Sequence, residues 1–277
     1  GDWLAMGKGI AWQAMHNNPV SNAFIVHDLK VISETAERLG KKADADRYRR
    51  QLEATTKAYI EKFVSKKGIV AKDYQSAYIM ALKFVLPEGE LRELVKKNFA
   101  ANIRKNGLQT GFFATEHLLP LLVEAGETEL AYDILLQEGC PGWMYQVKCG
   151  ATTTWERWDA LKPDGTVNEE KMAGSGDNMV SFNHYAFGSV GEFYYQYILG
   201  IKPQKPGFAE LHFEPYPDRR LGGVSGSYLS RAGKIESSWK YEEDGCHISL
   251  NTPVKSEVVL PDGKKETVEA GTYQWLC

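Results

Sequence analysis

The chain has 277 residues, of which 43% are hydrophobic and 25% are charged, so it is long enough to bury a sizeable core. Its formal net charge of −3 argues against nucleic acid as a partner, because nucleic-acid-binding proteins present a basic face. No apolar run approaches the roughly 18 residues of a membrane-spanning helix, so no membrane partner is predicted either.

Aromatic residues make up 12% of the chain, with seven Trp and fourteen Tyr. Aromatic rings suit sugar-binding proteins, since the C–H groups of a pyranose pack on them, but a well-packed core would use them equally well. Free thiols are favoured over a pairing of Cys140 with Cys149. The spacing of Cys149, Asp177 and His184 does not support a zinc site, and no metal or cofactor is predicted.

Amphipathic patterns predict helical hairpins over the first part of the chain. Residues 21–39 carry an apolar stripe at spacings of three and four, with Ser21 or Asn22 available as the N-cap and Gly40 as the stop. A second stripe over residues 45–63 follows after a short turn, so the two helices should pack antiparallel. Further helices are predicted at residues 75–87, 88–104, 115–126, 127–139 and 182–200, the first of these buried on most sides.

The order of these helices predicts a mainly α fold that is part of an (α/α)6 toroid. More exposed and more buried helices alternate, as in a ring of hairpins with an inner and an outer layer, although a plain helical bundle is the alternative. About seven helices do not complete six hairpins. The chain also starts at Gly1 without an initiating Met or a signal peptide, so we expect a fragment of a longer protein.

After Pro203 the pattern changes to short alternating runs broken by Gly and Pro. The pairs Asp244-Gly245 and Asp262-Gly263 between such runs are strong hairpin signals. They predict a small antiparallel β-sandwich. The predicted domains are residues 1–202, the toroid part, and residues 203–277, the sandwich.

The stretch GATTTWERW, residues 150–158, places one carboxylate among aromatic rings. Glu156 lies between Trp155 and Trp158 and beside Arg157. Apolar neighbours raise the pKa of a carboxyl group, whereas an Arg and the threonine hydroxyls favour its charged form. An ionised carboxylate among aromatic walls suits a general base that activates water. An ion pair between Arg157 and Glu156 that fastens the loop fits the motif equally well.

His184 stands in SFNHYAFGS, near the predicted start of the last helix. It fits either a hydrogen-bonded core residue or a side chain that faces a pocket, the second because a Gly-rich connection at residues 173–178 precedes it. Residues 164–178 are predicted to be a solvated surface loop, because they lack the GxxxxGK phosphate motif. Other Gly/aromatic stretches at helix ends indicate a common cleft, namely GDWL (1–4), TGFFATEHLLP (110–120) and CPGWMYQV (140–147).

Five blocks in order resemble the bacterial α-L-rhamnosidases of glycoside hydrolase family 78, and the resemblance covers the whole chain. The blocks are GDWL, TGFFATEHLLP, CPGWMYQVKCGATTTWERWD, SFNHYAFGSVGEFYYQYILGI and a β-rich tail with LPDG. The resemblance implies an (α/α)6 toroid followed by a β-sandwich, and hydrolysis of terminal α-L-rhamnosyl bonds with inversion. Inverting glycosidases use two carboxyl groups about 6.5–9.5 Å apart, with room for the attacking water.

By the same resemblance, Glu156 is the general base. The residues that match the sugar-pocket blocks are Asp2, Trp3, Trp143, Trp155 and His184; the rings would pack on rhamnose, while Asp2 and His184 would hold its hydroxyls. The general acid of the family lies in an acidic block resembling DERxGWxGD, which this sequence does not contain. We therefore expect the C-terminal part of an inverting α-L-rhamnosidase, inactive or weakly active alone. The alternatives are another toroid glycosidase and a non-catalytic carbohydrate-binding protein.

Overall fold

The computed structural model describes residues 1–6, 18–169 and 180–277. These residues form two compact units, Gly1–Gly188 and Ser189–Cys277. The Gly-rich connection at residues 173–178, Asp177 and the second half of the predicted surface loop lie outside the described residues. No described helix is both long enough and apolar enough to cross a membrane.

Helical hairpins build the first unit, as the amphipathic patterns predict. Gly40 follows the first helix with a φ of 70°, a conformation that glycine adopts readily, so it is the stop that the sequence indicated. Every residue of the third helix is buried, and the helix continues as a π-helical turn over Ala81–Val85. The helices of this unit are α1 (Asn18–Arg38), α2 (Lys42–Phe63), α3 (Gln75–Met80), α4 (Glu90–Asn106), α5 (Phe112–Glu124), α6 (Thr128–Leu136) and α7 (Trp143–Lys148).

The predicted start of the first helix needs correction. Within the described residues, helix α1 runs from Asn18, so the predicted caps, Ser21 and Asn22, lie inside it. Asn22 lies inside the helix and donates its side-chain amide to the Asn18 carbonyl at 2.8 Å.

The long helix predicted over residues 182–200 is also wrong in part. It is broken into a 3₁₀ turn at Ala186–Ser189, a single α-helical turn, α8, at Val190–Phe193, and a π-helical turn at Tyr194–Ile198. Residues 181–184 are not helical, because their backbone groups bond to a distant segment of the chain instead of to their own next turn. A residue pattern of period 3.6 cannot reveal such a long-range partner.

Two four-stranded sheets make up the second unit, in the orders β1-β2-β6-β7 and β3-β4-β5-β8. The neighbouring strands are antiparallel, as predicted, except that β2 and β6 run parallel. Parallel neighbours need a long connection, and the intervening strands of the second sheet supply it. The strands are β1 (Ile201–Pro203), β2 (Leu211–Phe213), β3 (Gly223–Ser230), β4 (Gly233–Glu242), β5 (Gly245–Thr252), β6 (Ser256–Val259), β7 (Lys265–Val268) and β8 (Gly271–Leu276).

Side chains of β4 bind the carbonyl groups at the end of the helical segment that begins the second unit. Trp239 donates its indole N–H to the Ile198 carbonyl at 2.7 Å, and the Ser237 hydroxyl donates to the Leu199 carbonyl at 2.6 Å. These donors satisfy carbonyls that a helix end leaves without partners. The two units divide after Gly188, earlier in the chain than the boundary predicted after residue 202. The predicted domains, residues 1–202 and 203–277, stay a prediction.

Acid should weaken the second unit through Glu214. Its carboxylate lies 3.2 Å from His212 Nε2 and accepts a hydrogen bond from Lys202 Nζ at 3.1 Å; these partners lower its pKa from 4.5 to about 2. A depressed carboxyl pKa stabilises the fold above pH 4.5, and that stabilisation disappears as the pH falls toward 2. Glu214→Gln should therefore lower the guanidinium midpoint at pH 7, with a deficit that shrinks in acid.

The measurement is denaturant unfolding between pH 7 and pH 2.5, with hydrogen exchange of residues 201–277 to assign the transition. Glu243→Gln is the matched control, because Glu243 is exposed. A deficit for Glu214→Gln that stays constant across this pH range would contradict the assignment.

Candidate active site

Two irregular segments of the first unit run side by side at the candidate site. The backbone N–H of Glu156 donates to the Ser181 carbonyl at 2.9 Å, and the N–H of His184 donates to the Thr154 carbonyl at 2.9 Å. These bonds bring the TTTWERW and SFNHYAF blocks together, although some thirty residues separate them in sequence. The two segments, residues 153–156 and 181–184, are called the paired segments below.

The threonines of TTTWERW hold this pairing. The hydroxyl of Thr153 donates to the Phe182 carbonyl, and the hydroxyl of Thr154 donates to the His184 carbonyl. The expectation that threonine hydroxyls serve the carboxylate of Glu156 is therefore wrong for these two residues. They replace the backbone partners that a regular strand would provide.

Glu156 is a partly exposed residue, and its carboxylate makes no hydrogen bond or ion pair with any described residue. Arg157 instead directs its guanidinium at Asp159, with Nε–Oδ1 and Nη2–Oδ2 distances of 3.0 Å each. The alternative of an Arg157–Glu156 ion pair is therefore wrong. The bidentate bond to Asp159 fastens the loop, and Glu156 is left available to a ligand.

A buried aromatic stack lies beneath the paired segments. Trp158 is fully buried, stacks on Phe187 with ring centroids 3.8 Å apart, and donates its indole N–H to the Thr110 carbonyl at 2.9 Å. Trp143 meets Trp158 edge-on at 5.0 Å and donates its own indole N–H to the Phe187 carbonyl at 2.9 Å. Each buried indole has a polar partner, so the stack is both dense and satisfied.

Two of the tryptophans predicted to contact sugar lie below the surface. Trp143 is 6% exposed and Trp155 is 2% exposed. Trp155 belongs to a cluster with Tyr145 and Ala160 and meets the ring of Phe182 edge-on at 5.5 Å. The structure thus places both rings as internal supports of the site, and their predicted packing on a sugar stays untested.

Asp2 is completely buried, and both of its oxygens are occupied. Oδ2 accepts from the Ser76 hydroxyl at 2.6 Å and from the Gly111 N–H at 2.7 Å, while Oδ1 accepts from the N–H groups of Phe113 and Ala114. Burial raises the pKa of Asp2, and these four donors oppose the rise. The carboxylate satisfies the start of α5. Its predicted bond to a sugar hydroxyl stays untested.

Trp3 is joined to the same helix start. Its carbonyl accepts the Phe112 N–H at 2.9 Å, and a Cβ atom at Gly111 would lie 2.1 Å from the Trp3 carbonyl oxygen. Only glycine allows the two backbones to approach this closely. The side chains of Trp3 and Phe112 are both partly exposed, and the Phe112 ring contacts His184 with centroids 4.6 Å apart. The GDWL and TGFF blocks therefore reach the paired segments.

His184 is partly exposed and lies between the rings of Phe112 and Tyr185. Its Nδ1 accepts the N–H of Ala186 at 3.2 Å, so the neutral ring carries its proton on Nε2. No described residue bonds to Nε2. The ring can therefore donate from Nε2 to a ligand oxygen, which is the pocket-facing role that the sequence left open.

Phe112, Phe187 and Asp159 were not singled out from the sequence. Phe112 follows a glycine inside the TGFF block, and Asp159 stands two residues after Arg157 in ERWD. These sequence positions could have indicated Phe112 and Asp159 as residues of the site. Phe187 had no signal of its own, because a buried ring under a loop reads as ordinary core.

Metal-ligand spacing occurs in the second unit. Glu242, Asp244 and His247 are exposed in the β4–β5 hairpin and bring one ligand atom each within 4.8 Å of the others. Lys240 already pairs with Glu242 at 2.9 Å, and His247 Nε2 lies 2.7 Å from Asp244. The described residues of the paired segments form no such group.

A domain of helical hairpins followed by two four-stranded β-sheets is the fold class of the helical-toroid glycosidases. The family model of the bacterial alpha-L-rhamnosidase 6 hairpin glycosidase domain matches residues 1–198. That of the bacterial alpha-L-rhamnosidase C-terminal domain matches residues 200–274. The chain belongs to the bacterial α-L-rhamnosidase family.

Known relatives agree with this membership. The chain is 35% identical over 272 residues to an α-L-rhamnosidase of Alteromonas sp. (strain LOR), which covers 94% of the chain and 29% of that relative. The structure of Streptomyces avermitilis α-L-rhamnosidase complexed with L-rhamnose matches with a TM-score of 0.87 and 30% identity, over 99% of the chain and 28% of that protein. The structure of native α-L-rhamnosidase from Aspergillus terreus matches with a TM-score of 0.84 and 30% identity, over 93% of the chain and 30% of that protein. The chain thus spans less than a third of these relatives.

Loss of the Asp2 carboxylate should destabilise the first unit. Asp2→Ala leaves buried donors without partners, so we expect a loss of roughly 3 kcal/mol or more in the free energy of unfolding. Asp2→Asn retains one acceptor oxygen and should give an intermediate loss. Asp28→Ala, at an exposed position of α1, is the control. Denaturant unfolding measures all three, and a loss below about 1 kcal/mol for Asp2→Ala would refute the structural role.

Proposed function

We propose that this chain is the C-terminal part of an inverting α-L-rhamnosidase, in which Glu156 is the general base. The observation that carries the proposal is that Glu156 is partly exposed and that its carboxylate is free of partners among the described residues. Its backbone is fixed by the Ser181 carbonyl, so the base is held while its oxygens stay available. Membership in the α-L-rhamnosidase family supports the substrate class.

In the proposed reaction, Glu156 takes a proton from a water molecule as the water oxygen attacks the anomeric carbon. The attack comes from the face opposite the leaving group, so the configuration is inverted. A second carboxyl group protonates the glycosidic oxygen as its bond to the sugar breaks. The pairing of Arg157 with Asp159 assists, because it keeps a positive charge from neutralising the base.

The same geometry supports a sugar-binding role for two other predicted residues. His184 presents Nε2–H, which suits a sugar hydroxyl, and the partly exposed ring of Trp3 suits the C–H groups and the methyl of rhamnose. Phe112 adds a third partly exposed ring beside His184. Asp2, Trp143 and Trp155 support this surface from beneath in our proposal.

The general acid is proposed to come from residues outside this sequence. The family's acidic block, resembling DERxGWxGD, does not occur in the 277 residues. The described carboxylates close to Glu156 in sequence are also committed elsewhere, because Asp159 binds both Arg157 and the side-chain amide of Asn168. The chain would therefore contribute the base side of the cleft.

Glu156→Gln in the full-length enzyme should lower kcat by roughly 10³-fold or more, because general-base catalysis contributes 10²–10⁴-fold. KM should change little, since the amide keeps the size of the carboxylate. The assay is hydrolysis of 4-nitrophenyl α-L-rhamnopyranoside. With the wild-type enzyme, NMR should show the β anomer of L-rhamnose as the first product. Glu169→Gln, exposed in the same loop, is the control and should retain activity.

Near-normal kcat in the Glu156→Gln enzyme would overturn the assignment of the base. A panel of aryl glycosides tests the substrate class at the same time. Cleavage of a different glycoside in preference to the rhamnoside would favour another toroid glycosidase.

The 277-residue chain alone should show little or no turnover of the same rhamnoside, because the proposed acid is missing. Restoring the preceding residues of the gene product should restore hydrolysis. Calorimetry with L-rhamnose supplies the second readout. Binding without hydrolysis, even in the restored protein, would identify a non-catalytic carbohydrate-binding protein instead.

A further inference from the structure

Gln146, in helix α7, contacts the loop of the candidate base at two points. Its backbone carbonyl accepts the N–H of Ala151 at 3.0 Å, and its side-chain Oε1 accepts the N–H of Trp155 at 3.2 Å. The residue is 3% exposed, so both bonds lie in the interior. Gln146 therefore ties the loop at its beginning and at the residue immediately before Glu156.

The backbone N–H groups of Trp155 and Glu156, which are consecutive, bind acceptors in two different segments of the chain. Trp155 donates to Gln146, and Glu156 donates to the Ser181 carbonyl of the paired segments. The Glu156 carboxylate has no partner among the described residues, so nothing at its own end orients it. The direction of the side chain depends on these backbone anchors.

The other end of the Gln146 side chain has no partner in the part of the chain that the structure describes. Its Nε2 is buried and makes no hydrogen bond with any described residue. The amide cannot be flipped to improve this, because two donors would then face each other at the Trp155 N–H. A buried donor without a partner is costly, so a fully apolar side chain of similar size would suit stability at least as well.

Gln75, a second buried glutamine of the same unit, shows the opposite arrangement. Its Nε2 donates to Asn102 Oδ1 at 3.1 Å and to the Gly107 carbonyl at 2.9 Å, and its Oε1 accepts the N–H of Gln109 at 2.9 Å. All of these bonds contribute to folding. Within the described residues, Gln146 makes a single side-chain hydrogen bond, and that bond is to Trp155, the residue adjoining the base.

We propose that Gln146 is a positioning residue for Glu156, which it holds in place through the bond from Oε1 to the Trp155 N–H. The proposal rests on the proposed function of Glu156. A displacement of about 1 Å in a reacting group costs on the order of 10²-fold in rate. Losing the anchor should therefore slow the chemical step and leave substrate binding nearly unchanged.

The test is Gln146→Met in the full-length enzyme, with Gln75→Met as the matched control. Gln146→Met removes one unpaired donor, Nε2, and creates another at the Trp155 N–H, so the thermal midpoint should stay close to that of the wild type. Its kcat on 4-nitrophenyl α-L-rhamnopyranoside should nevertheless fall roughly 10- to 100-fold, with KM nearly constant. Gln75→Met should show the reverse pattern, a lower thermal midpoint with kcat largely retained.

Two further variants separate positioning from a general structural role. Gln146→Glu keeps the size of the side chain and the acceptor for the Trp155 N–H, so it should retain clearly more activity than Gln146→Met. In a Glu156→Gln background, Gln146→Met should lower the residual rate no further, because there is no base left to position. Equal loss in both backgrounds would overturn the proposal.

Failure of this proposal can be distinguished from failure of the proposed function. If Glu156→Gln is inactive while Gln146→Met has wild-type kcat, only the role of Gln146 is refuted. If Glu156→Gln itself remains active, the assignment of the base is refuted. Should Gln146→Met not fold, a Gln146→Glu enzyme with a kcat lowered 10-fold or more would count against the proposal, and wild-type kcat would support it.

Discussion

Two backbone hydrogen bonds, from the Glu156 amide to Ser181 and from the His184 amide to Thr154, place the candidate base beside the candidate sugar-binding histidine. Neither segment belongs to a helix or a regular strand, so each must find partners for its backbone groups in the other. The buried aromatic stack beneath them excludes water and joins the pair to the surrounding helices. The chemistry proposed for this unit depends on that short pairing more than on any single helix.

The aromatic residues of the site divide into two kinds by depth. Trp143, Trp155 and Trp158 are buried and act as supports, whereas Trp3 and Phe112 keep part of their rings exposed. Both kinds occur in similar Gly/aromatic blocks. A buried indole satisfied by a carbonyl provides rigidity, and a partly exposed ring provides a face for a ligand. Precise placement of a few exposed groups thus rests on a larger number of buried ones.

Sequence patterns predict much of the fold, since helix periodicity, the stop at Gly40 and the Asp-Gly hairpin turns depend on local properties that the structure retains. They fail where a distant partner decides. Residues 182–184 belong to the predicted helix 182–200 but bond to the Glu156 loop instead. Arg157 stands next to Glu156 in sequence, yet its guanidinium binds Asp159. The five sequence blocks do indicate the family, because related proteins carry the same blocks in the same order. Recognising that order requires no knowledge of which residues are in contact.

The hydrogen bonds of the paired segments also bring together the two ends of the stretch that connects them, residues 157–180. A second tie lies within this stretch. The backbone N–H of Asn168 donates to the Ala160 carbonyl at 2.9 Å, and Leu161 forms a β-bridge with Val167. Lengthening a connection whose ends are already fixed adds little closure entropy. Residues 162–166, which this second tie encloses, are therefore a natural place for loop grafting. A replacement there would leave the paired segments, and with them the base and the histidine, in register.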